Sequence, residues 1–311
     1  MIVVGDDFGK LVSQRLACEF LKVEDRVFGD GEVCPRVVLD EAGNNALKEQ
    51  DCVLVLQMKS GENPNSYLVK VIFVVDVIRR LEPKTLAVAM PYLIYARQHK
   101  QYLQGQPVST EIVAKFLENA GANRFVTVNS HSRGDLPGFF SGKVFDLDAT
   151  SFLANYFLSK KDFDKEKVIA VGPDKGAISL AKHFIDKLGF GQWTAFDKQR
   201  DVRTGEITMK KPDGVKFEGK TAIVVDDLCA SGGTMIKALN ACKEKGAKKA
   251  VACFVHPVLN NNALDGLQLV ADEIVSTNSI DSSVSVVDLS SLVASAFQDQ
   301  QQLDHYLVDF D

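Results

Sequence analysis

Thr221 to Thr234 reads Thr-Ala-Ile-Val-Val-Asp-Asp-Leu-Cys-Ala-Ser-Gly-Gly-Thr, and few folds can carry that order of residues. The first half is a continuous apolar run rich in β-branched residues. Such a run predicts a strand buried on both faces, as in a parallel sheet. Asp226 and Asp227 follow where the strand emerges. Small and hydroxyl residues come next, Ser231, Gly232, Gly233 and Thr234. Met235, Ala238, Leu239 and Cys242 then fall at helical spacing, with Gly246 as a stop. A strand, a glycine turn and a helix N-terminus form a cradle for a phosphate, because backbone N–H groups and the helix dipole converge on one point. The two acids can accept hydrogen bonds from neighbouring sugar hydroxyls. A phosphate beside a diol is a ribose phosphate. Alone, Gly232-Gly233 is a tight turn and the acids are a helix cap. Together at one strand end, two adjacent carboxylates are costly unless they meet a ligand or a metal. Neither a Gly-x-Gly-x-x-Gly pattern nor a Gly-x-x-x-x-Gly-Lys-Ser/Thr loop is present.

The remainder of the chain supports an α/β protein of more than one domain. Its 311 residues suggest two domains, and 46% hydrophobic with 25% charged content is ordinary for a globular chain. A net charge of −5 argues against a nucleic-acid surface. Met1-Ile-Val-Val-Gly-Asp-Asp lacks the basic region of a signal peptide, and Lys70 and Asp76 break the longest apolar stretch, so no membrane association is expected. Six scattered cysteines without a Cys-x-x-Cys pair predict free thiols in a reducing cytoplasm.

Strand-like and helical patterns alternate almost throughout. Strands are expected at Ile2–Gly5, Cys52–Met58, Leu86–Tyr92, Phe125–Asn129 and Val168–Val171. Helices are expected at Phe8–Leu21, Asn65–Leu81, from a cap at Ser109 to Gly121, at Ser151–Lys160 and at Ala177–Leu188. This alternation implies parallel sheets with helices on both faces. A repeat is suggested by Ala120-Gly121-Ala122 running to His131 and Lys245-Gly246-Ala247 running to His256. The expected division is 1–149 and 150–300, with the tail 301–311 joining the first domain. Tyr306–Phe310 reads as a last short strand.

Four further stretches carry polar groups. Phe28-Gly29-Asp30-Gly31-Glu32 reads as a surface turn. Tyr95-Ala96-Arg97-Gln98-His99-Lys100 follows a strand, where α/β proteins place ligands. His131 and Asp174 each lie at a strand end, one in each half. His is a poor ligand for Mg²⁺, which prefers oxygen. Phe196 to Ile207 is polar and charged and reads as a mobile loop, with Lys198 and Arg200 on the same side where the chain is extended. The competing reading of that stretch is a solvated hairpin.

The order of these stretches resembles the ribose-phosphate pyrophosphokinase, or phosphoribosyl pyrophosphate synthetase, family in its short form. The resemblance runs from Ile2 to about Phe297. It is strongest at Tyr95-Ala96-Arg97-Gln98, His131, Gly138-Phe139-Phe140, Asp174, Lys198-x-Arg200 and Val225-Asp226-Asp227 through Ser231-Gly232-Gly233-Thr234. It implies two similar phosphoribosyltransferase-type domains, each a mainly parallel sheet with helices on both faces. It implies transfer of pyrophosphate from ATP to ribose 5-phosphate, with Mg²⁺ as cofactor, in a homo-oligomer. Phe28, Asp30, Gly31 and Glu32 would meet the adenine of a neighbouring subunit's ATP. Arg97 and Gln98 would hold ATP, and His131 and Asp174 would line its metal. Lys198 and Arg200 would be the catalytic pair. Arg200, Asp226, Asp227, Ala230, Ser231, Gly232, Gly233 and Thr234 would bind ribose 5-phosphate. Three positions depart from the family pattern: Ala230 and His99 stand where acids are common, and Lys175 where a small residue is usual. Two alternatives share parts of this pattern. A type I phosphoribosyltransferase needs one such domain and gives no reason for Arg97-Gln98. A non-catalytic, synthetase-like regulatory subunit is expected to lack Lys198, Arg200 or the acid pair, and all are present.

Overall fold

The computed structural model describes residues 1–39, 46–131, 134–200, 207–210, 215–260 and 262–298. The expected strand at Tyr306–Phe310 lies outside them. The chain divides into two units, Met1–Asp148 with the segment that begins at Leu289, and Ala149–Asp288. The return to the first unit therefore starts at Leu289, where the sequence reading kept residues up to 300 in the second domain.

The first unit runs β1 (Ile2–Gly5), α1 (Asp7–Leu16), β2 (Glu19–Glu24), β3 (Arg36–Val37), β4 (Asp51–Val55), the short β5 (Met58–Lys59), α2 (Pro64–Arg80), β6 (Thr85–Ala89), α3 (Ser109–Ala120), β7 (Arg124–Val128), α4 (Leu136–Phe139) and β8 (Lys143–Leu147). Its seven-stranded sheet has the order β3-β2-β1-β4-β6-β7-β8. All pairings in it are parallel except β2 with β3. Val3, Val4, Leu54, Val55, Val88 and Val128 are almost wholly buried, as strands covered on both faces require.

The second unit runs α5 (Thr150–Leu158), β9 (Val168–Gly172), α6 (Ile178–Leu188), β10 (Gln192–Ala195), β11 (Asp197–Arg200), β12 (Ile207–Lys210), β13 (Thr221–Cys229), α7 (Gly233–Glu244), β14 (Lys249–Pro257), α8 (Ala263–Val270), β15 (Glu273–Thr277), the short β16 (Ile280–Asp281) and β17 (Ser285–Val287). Its six-stranded sheet is parallel, in the order β10-β9-β13-β14-β15-β17. Ala222, Val224, Ala250, Ala252 and Phe254 pack with Met235, Leu239 and Leu267 of α7 and α8 on one face. Helix α6 packs on β9 and β13, and α5 on β14 and β15, to complete the covering. The chain then forms α9 (Ser290–Ser295), which packs on α1 of the first unit. No helix among the described residues is long and apolar enough to cross a membrane.

Three expectations change. The helix expected from Phe8 to Leu21 stops at Leu16, because Ala17 takes a left-handed conformation with φ 50°. Residues 19–24 then pair with β1 as a strand. Ser109 is the first residue of α3 rather than its cap, and its Oγ donates to Gln98 Oε1 at 2.5 Å. The suggested sequence repeat is out of step with the topology. In each sheet the chain steps one way from its first strand and the other way from the strand on its opposite side, so β1 and β4 correspond to β9 and β13. His256 sits inside β14, buried, with Nδ1 2.8 Å from Ser279 Oγ, and is structural.

Reversal of strand order marks the point where open α/β sheets bind ligands, at the carboxyl ends of the two diverging strands. In the first unit that point is taken by Asp6. One carboxylate oxygen accepts from Gln57 N at 2.7 Å and the other from Gly9 N at 3.1 Å. Burial pushes the Asp6 carboxyl up to about 6, against those two amides and the charges of Lys70 and Lys59. The native state thus holds this proton more tightly than the unfolded chain does. The stabilisation is complete below the ordinary value of 3.8 and is lost as pH rises through about 6. Unfolding free energy is expected to fall by up to about 3 kcal/mol between pH 4 and 7 through this group. Urea titrations of wild type and Asp6→Asn across that range check it. An equal pH slope in both proteins overturns the assignment.

Candidate active site

In the second unit the same reversal falls between β9 and β13. Strand β9 ends at Gly172, and its register with β13 runs to Val224 opposite Val171. Strand β13 continues along β14 to Cys229 opposite Pro257. Asp226 and Asp227 therefore stand on a strand extension beside the end of β9. A Cβ on Gly172 would come within 3.1 Å of the Ala177 carbonyl, so glycine lets the next turn close over the strand end. Asp174 lies in that turn, with Oδ1 accepting from Gly176 N at 2.9 Å.

Three carboxyls thus gather at one notch. Asp226 accepts from Asp227 N at 3.0 Å, and Asp227 accepts from Leu228 N at 2.7 Å. Burial raises the Asp226 carboxyl well above the usual range, and the charges of Asp227 and Asp174 raise it further. A protein keeps such a cluster only where something else repays it, and hydroxyl donors or a cation do so.

The phosphate cradle follows directly. Leu259 N donates to Cys229 O at 2.9 Å and Asn260 N to Ala230 O at 2.8 Å, which fixes the loop from outside. Gly232 stands at the cap position just before α7 with φ 74°, and no side chain caps this helix. A non-glycine residue there would carry about 1–2 kcal/mol of left-handed strain. Ser231 and Gly233 are exposed, and Ala230 and Thr234 are half-buried. The twelve-residue α7 thus offers first-turn N–H groups and hydroxyls to an anion.

Lys198 and Arg200 lie on β11, where a mobile loop was expected. Lys198 is opposite Met209 and Arg200 opposite Ile207 in an antiparallel pair. The stretch reads as loop because its strands are short, polar and outside the main sheet. Residues 201–206 are outside the described part. The base of this ladder is anchored: Phe196 is fully buried, its N–H donates to Gly172 O at 3.0 Å, and its ring stacks on Phe217 at 6.5 Å. Lys175, the unusual residue after Asp174, pairs with Asp197 at 3.0 Å and links the ladder to the acid notch.

In the first unit Arg97, Gln98 and His131 come from the carboxyl ends of adjacent strands β6 and β7. Tyr95 has φ 62°, a strained turn. It is held by Gln98 N and Thr110 Oγ1, both donating to Tyr95 O at 2.9 Å, and by Tyr95 Oη on Asn65. The turn leaves Arg97 exposed. Before His131, Ser130 is held by buried Asp146 through its N–H at 3.0 Å and its Oγ at 2.6 Å, and Asn129 by buried Asp148 at 3.1 Å. His131 is exposed.

The structure does not bring Phe28, Asp30, Gly31 and Glu32 to this group. They form a turn after β2, with Phe28 N donating to Glu32 O at 2.8 Å and Gly31 N to Phe28 O at 2.9 Å. Phe28 is 42% exposed. Strand β2 is separated from β6 by β1 and β4, a spacing of about 14 Å at about 4.8 Å per strand. In the first unit Leu56 and Gln57 follow β4 where Asp226 and Asp227 extend β13. Sequence reasoning missed Asp6, whose partner Gln57 is 51 residues away. Among the described residues no three His, Cys, Asp or Glu side chains converge as a metal cage.

Residues 4–121 match the family described as the N-terminal domain of ribose phosphate pyrophosphokinase, and residues 144–291 match the phosphoribosyl transferase domain family. A ribose-phosphate pyrophosphokinase of Sulfolobus acidocaldarius is 30% identical over 302 residues, 94% of this chain and 99% of the relative. One from Methanobrevibacter smithii is 32% identical over 313 residues, 96% of this chain and all of the relative. The crystal structure of phosphoribosylpyrophosphate synthetase from Mycobacterium smegmatis aligns with a TM-score of 0.80 at 27% identity, over 95% of this chain and 96% of that one.

Proposed function

The chain belongs to the ribose-phosphate pyrophosphokinase family, and from that premise we propose how its residues divide the reaction. The reaction transfers the pyrophosphoryl group of ATP to the 1-hydroxyl of ribose 5-phosphate, giving phosphoribosyl pyrophosphate and AMP. The ribose hydroxyl attacks the β-phosphorus, and the bond from that phosphorus to the bridging oxygen of AMP breaks. Such transfers need in-line placement and cations more than covalent help.

The observation that carries the assignment of ribose 5-phosphate is the acid notch joined to the uncapped, glycine-led start of α7. Ser231, Gly232, Gly233 and Thr234, with the backbone at Ala230, take the 5-phosphate. Asp226 and Asp227 accept from the ring hydroxyls. Lys198 and Arg200 bring positive charge to the transferring group, and Arg200 also reaches the sugar phosphate. Arg97 and Gln98 hold the ATP phosphates. His131 of the first unit and Asp174 of the second are the residues assigned to Mg²⁺, which would neutralise the polyphosphate when bound. The ion keeps several waters and takes few protein ligands. Phe28, Asp30, Gly31 and Glu32 clasp the adenine held by another copy, which makes the working form a homo-oligomer. The separation of that turn from Arg97 along the sheet and the exposure of Phe28 support this reading. Six free cysteines support a reducing, cytoplasmic setting.

The purified chain incubated with ATP, ribose 5-phosphate and Mg²⁺ is expected to yield AMP and phosphoribosyl pyrophosphate in equal amounts. Light scattering on the same dilution series is expected to show activity per chain falling as copies separate. A sample that forms neither product overturns this assignment of the reaction. Full activity in a monomer removes the shared adenine clasp.

A further inference from the structure

Beyond Arg97 and Gln98, the segment after β6 carries a polar chain that the scheme above does not use. His99 Nδ1 is hydrogen-bonded with Asp135 Oδ2, and His99 Nε2 lies 3.2 Å from Tyr102 Oη. Both ring nitrogens are therefore engaged. The ring stands edge-on to that of His131, with centroids 6.1 Å apart and planes at 74°. Lys100 Nζ sits 5.3 Å from the centre of the Tyr102 ring. Asp135 opens the short helix α4, four residues after His131. One run of side chains, Tyr102–His99–Asp135, thus ties the turn bearing Arg97 and Gln98 to the segment bearing His131.

The geometry points to His99 as a positioning residue: with Asp135 and Tyr102 it forms a lock that holds Arg97 and Gln98 in register with His131 for the ATP polyphosphate. This rests on the reading that those three residues hold ATP. An imidazole suits the task because it has nitrogens on two edges, one to donate to a carboxylate and one to meet a phenol. An acid at position 99 would face Asp135 with like charge. The side chain is 17% exposed, so its bond to Asp135 is partly shielded from water. The backbone bonds joining the two strand ends, Met90 N to Val126 O at 2.9 Å and Val128 N to Pro91 O at 3.2 Å, stop short of Arg97. Beyond Pro91 the lock is a side-chain link that reaches across to the His131 segment.

The test is a double-mutant cycle with separate kinetic constants. His99→Phe keeps a ring and removes both bonds. It is expected to raise KM for ATP about tenfold, with kcat and KM for ribose 5-phosphate within about twofold. His99→Asn retains a donor where Nδ1 stands and is expected to recover KM for ATP to within about threefold of wild type. Asp135→Asn is expected to weaken ATP as His99→Phe does, and the double variant to be no worse than either alone. Unchanged KM for ATP in both single variants overturns the lock, as does strict additivity or a loss confined to kcat. Should His99→Phe fail to fold, the cycle of His99→Asn with Asp135→Asn decides by the same additivity rule. A wild type that turns over beside unaffected variants sinks the lock alone. A wild type that makes no AMP sinks the lock together with the reading beneath it.

Discussion

Lys198→Ala is expected to lower turnover by about 100- to 1000-fold, by analogy with removal of a single electrostatic donor elsewhere. Charge spreads over the transferring oxygens as the β-phosphorus changes partners, and a cation placed there acts mainly in the transition state. KM values should therefore move little. Melting temperature should not move, because this segment is anchored by the fully buried Phe196 and by the Lys175–Asp197 pair, and Lys198 is neither. A solvated hairpin with no part in the chemistry predicts near-normal turnover. The measurement is AMP release from ATP and ribose 5-phosphate at saturation. Turnover within about threefold of wild type, less than ~0.7 kcal/mol of barrier, sinks the catalytic role of Lys198.

What the sequence revealed was local and periodic. The run Ala222 to Val225 could only be a doubly covered strand, and it is buried along its whole length. Two acids and a glycine turn at its end point to a sugar phosphate from the sequence alone. What stayed hidden depended on distant partners or on missing punctuation. Helix α1 ends at Ala17, which carries no stop signal, so the pattern ran on into β2. That strand lies one place from the sheet edge and is only partly buried, so its alternation is weak. The Lys198 stretch is a strand because of its pairing with residues 207–210, and nothing in its own composition says so. Gly-Ala after a helix recurs wherever helix meets strand, so the sequence repeat matched the wrong pair of strands. The His99–Asp135 pair spans 36 residues. Sequence could show His99 as a departure from the family pattern, and only the fold shows what it touches.

The acid notch yields the other large effect. Asp227→Asn is expected to raise KM for ribose 5-phosphate by about 10- to 100-fold, because hydrogen bonds to a charged acceptor are worth about 1.5–3 kcal/mol. KM for ATP should stay within about twofold, since the variant removes a diol acceptor and no cation. Asn retains an oxygen for Leu228 N, which Asp227 Oδ1 now meets at 2.7 Å, so the strand extension keeps its local bond. Stability should move the opposite way from affinity. Burial and the charges of Asp227 and Asp174 hold the Asp226 carboxyl well above its ordinary range. A carboxyl so raised stabilises the fold at low pH and loses that contribution as pH rises through its folded value. Removing the Asp227 charge lowers that value and relieves the repulsion on ionised Asp226. The variant is therefore expected to melt no lower than wild type at pH 8 and to show a shallower loss of stability on the way there. Binding weakened while the fold is undiminished marks a site whose charge is kept for its ligand. A KM for ribose 5-phosphate within about twofold of wild type, beside an unchanged melting curve, would show that Asp227 serves neither the sugar nor the notch.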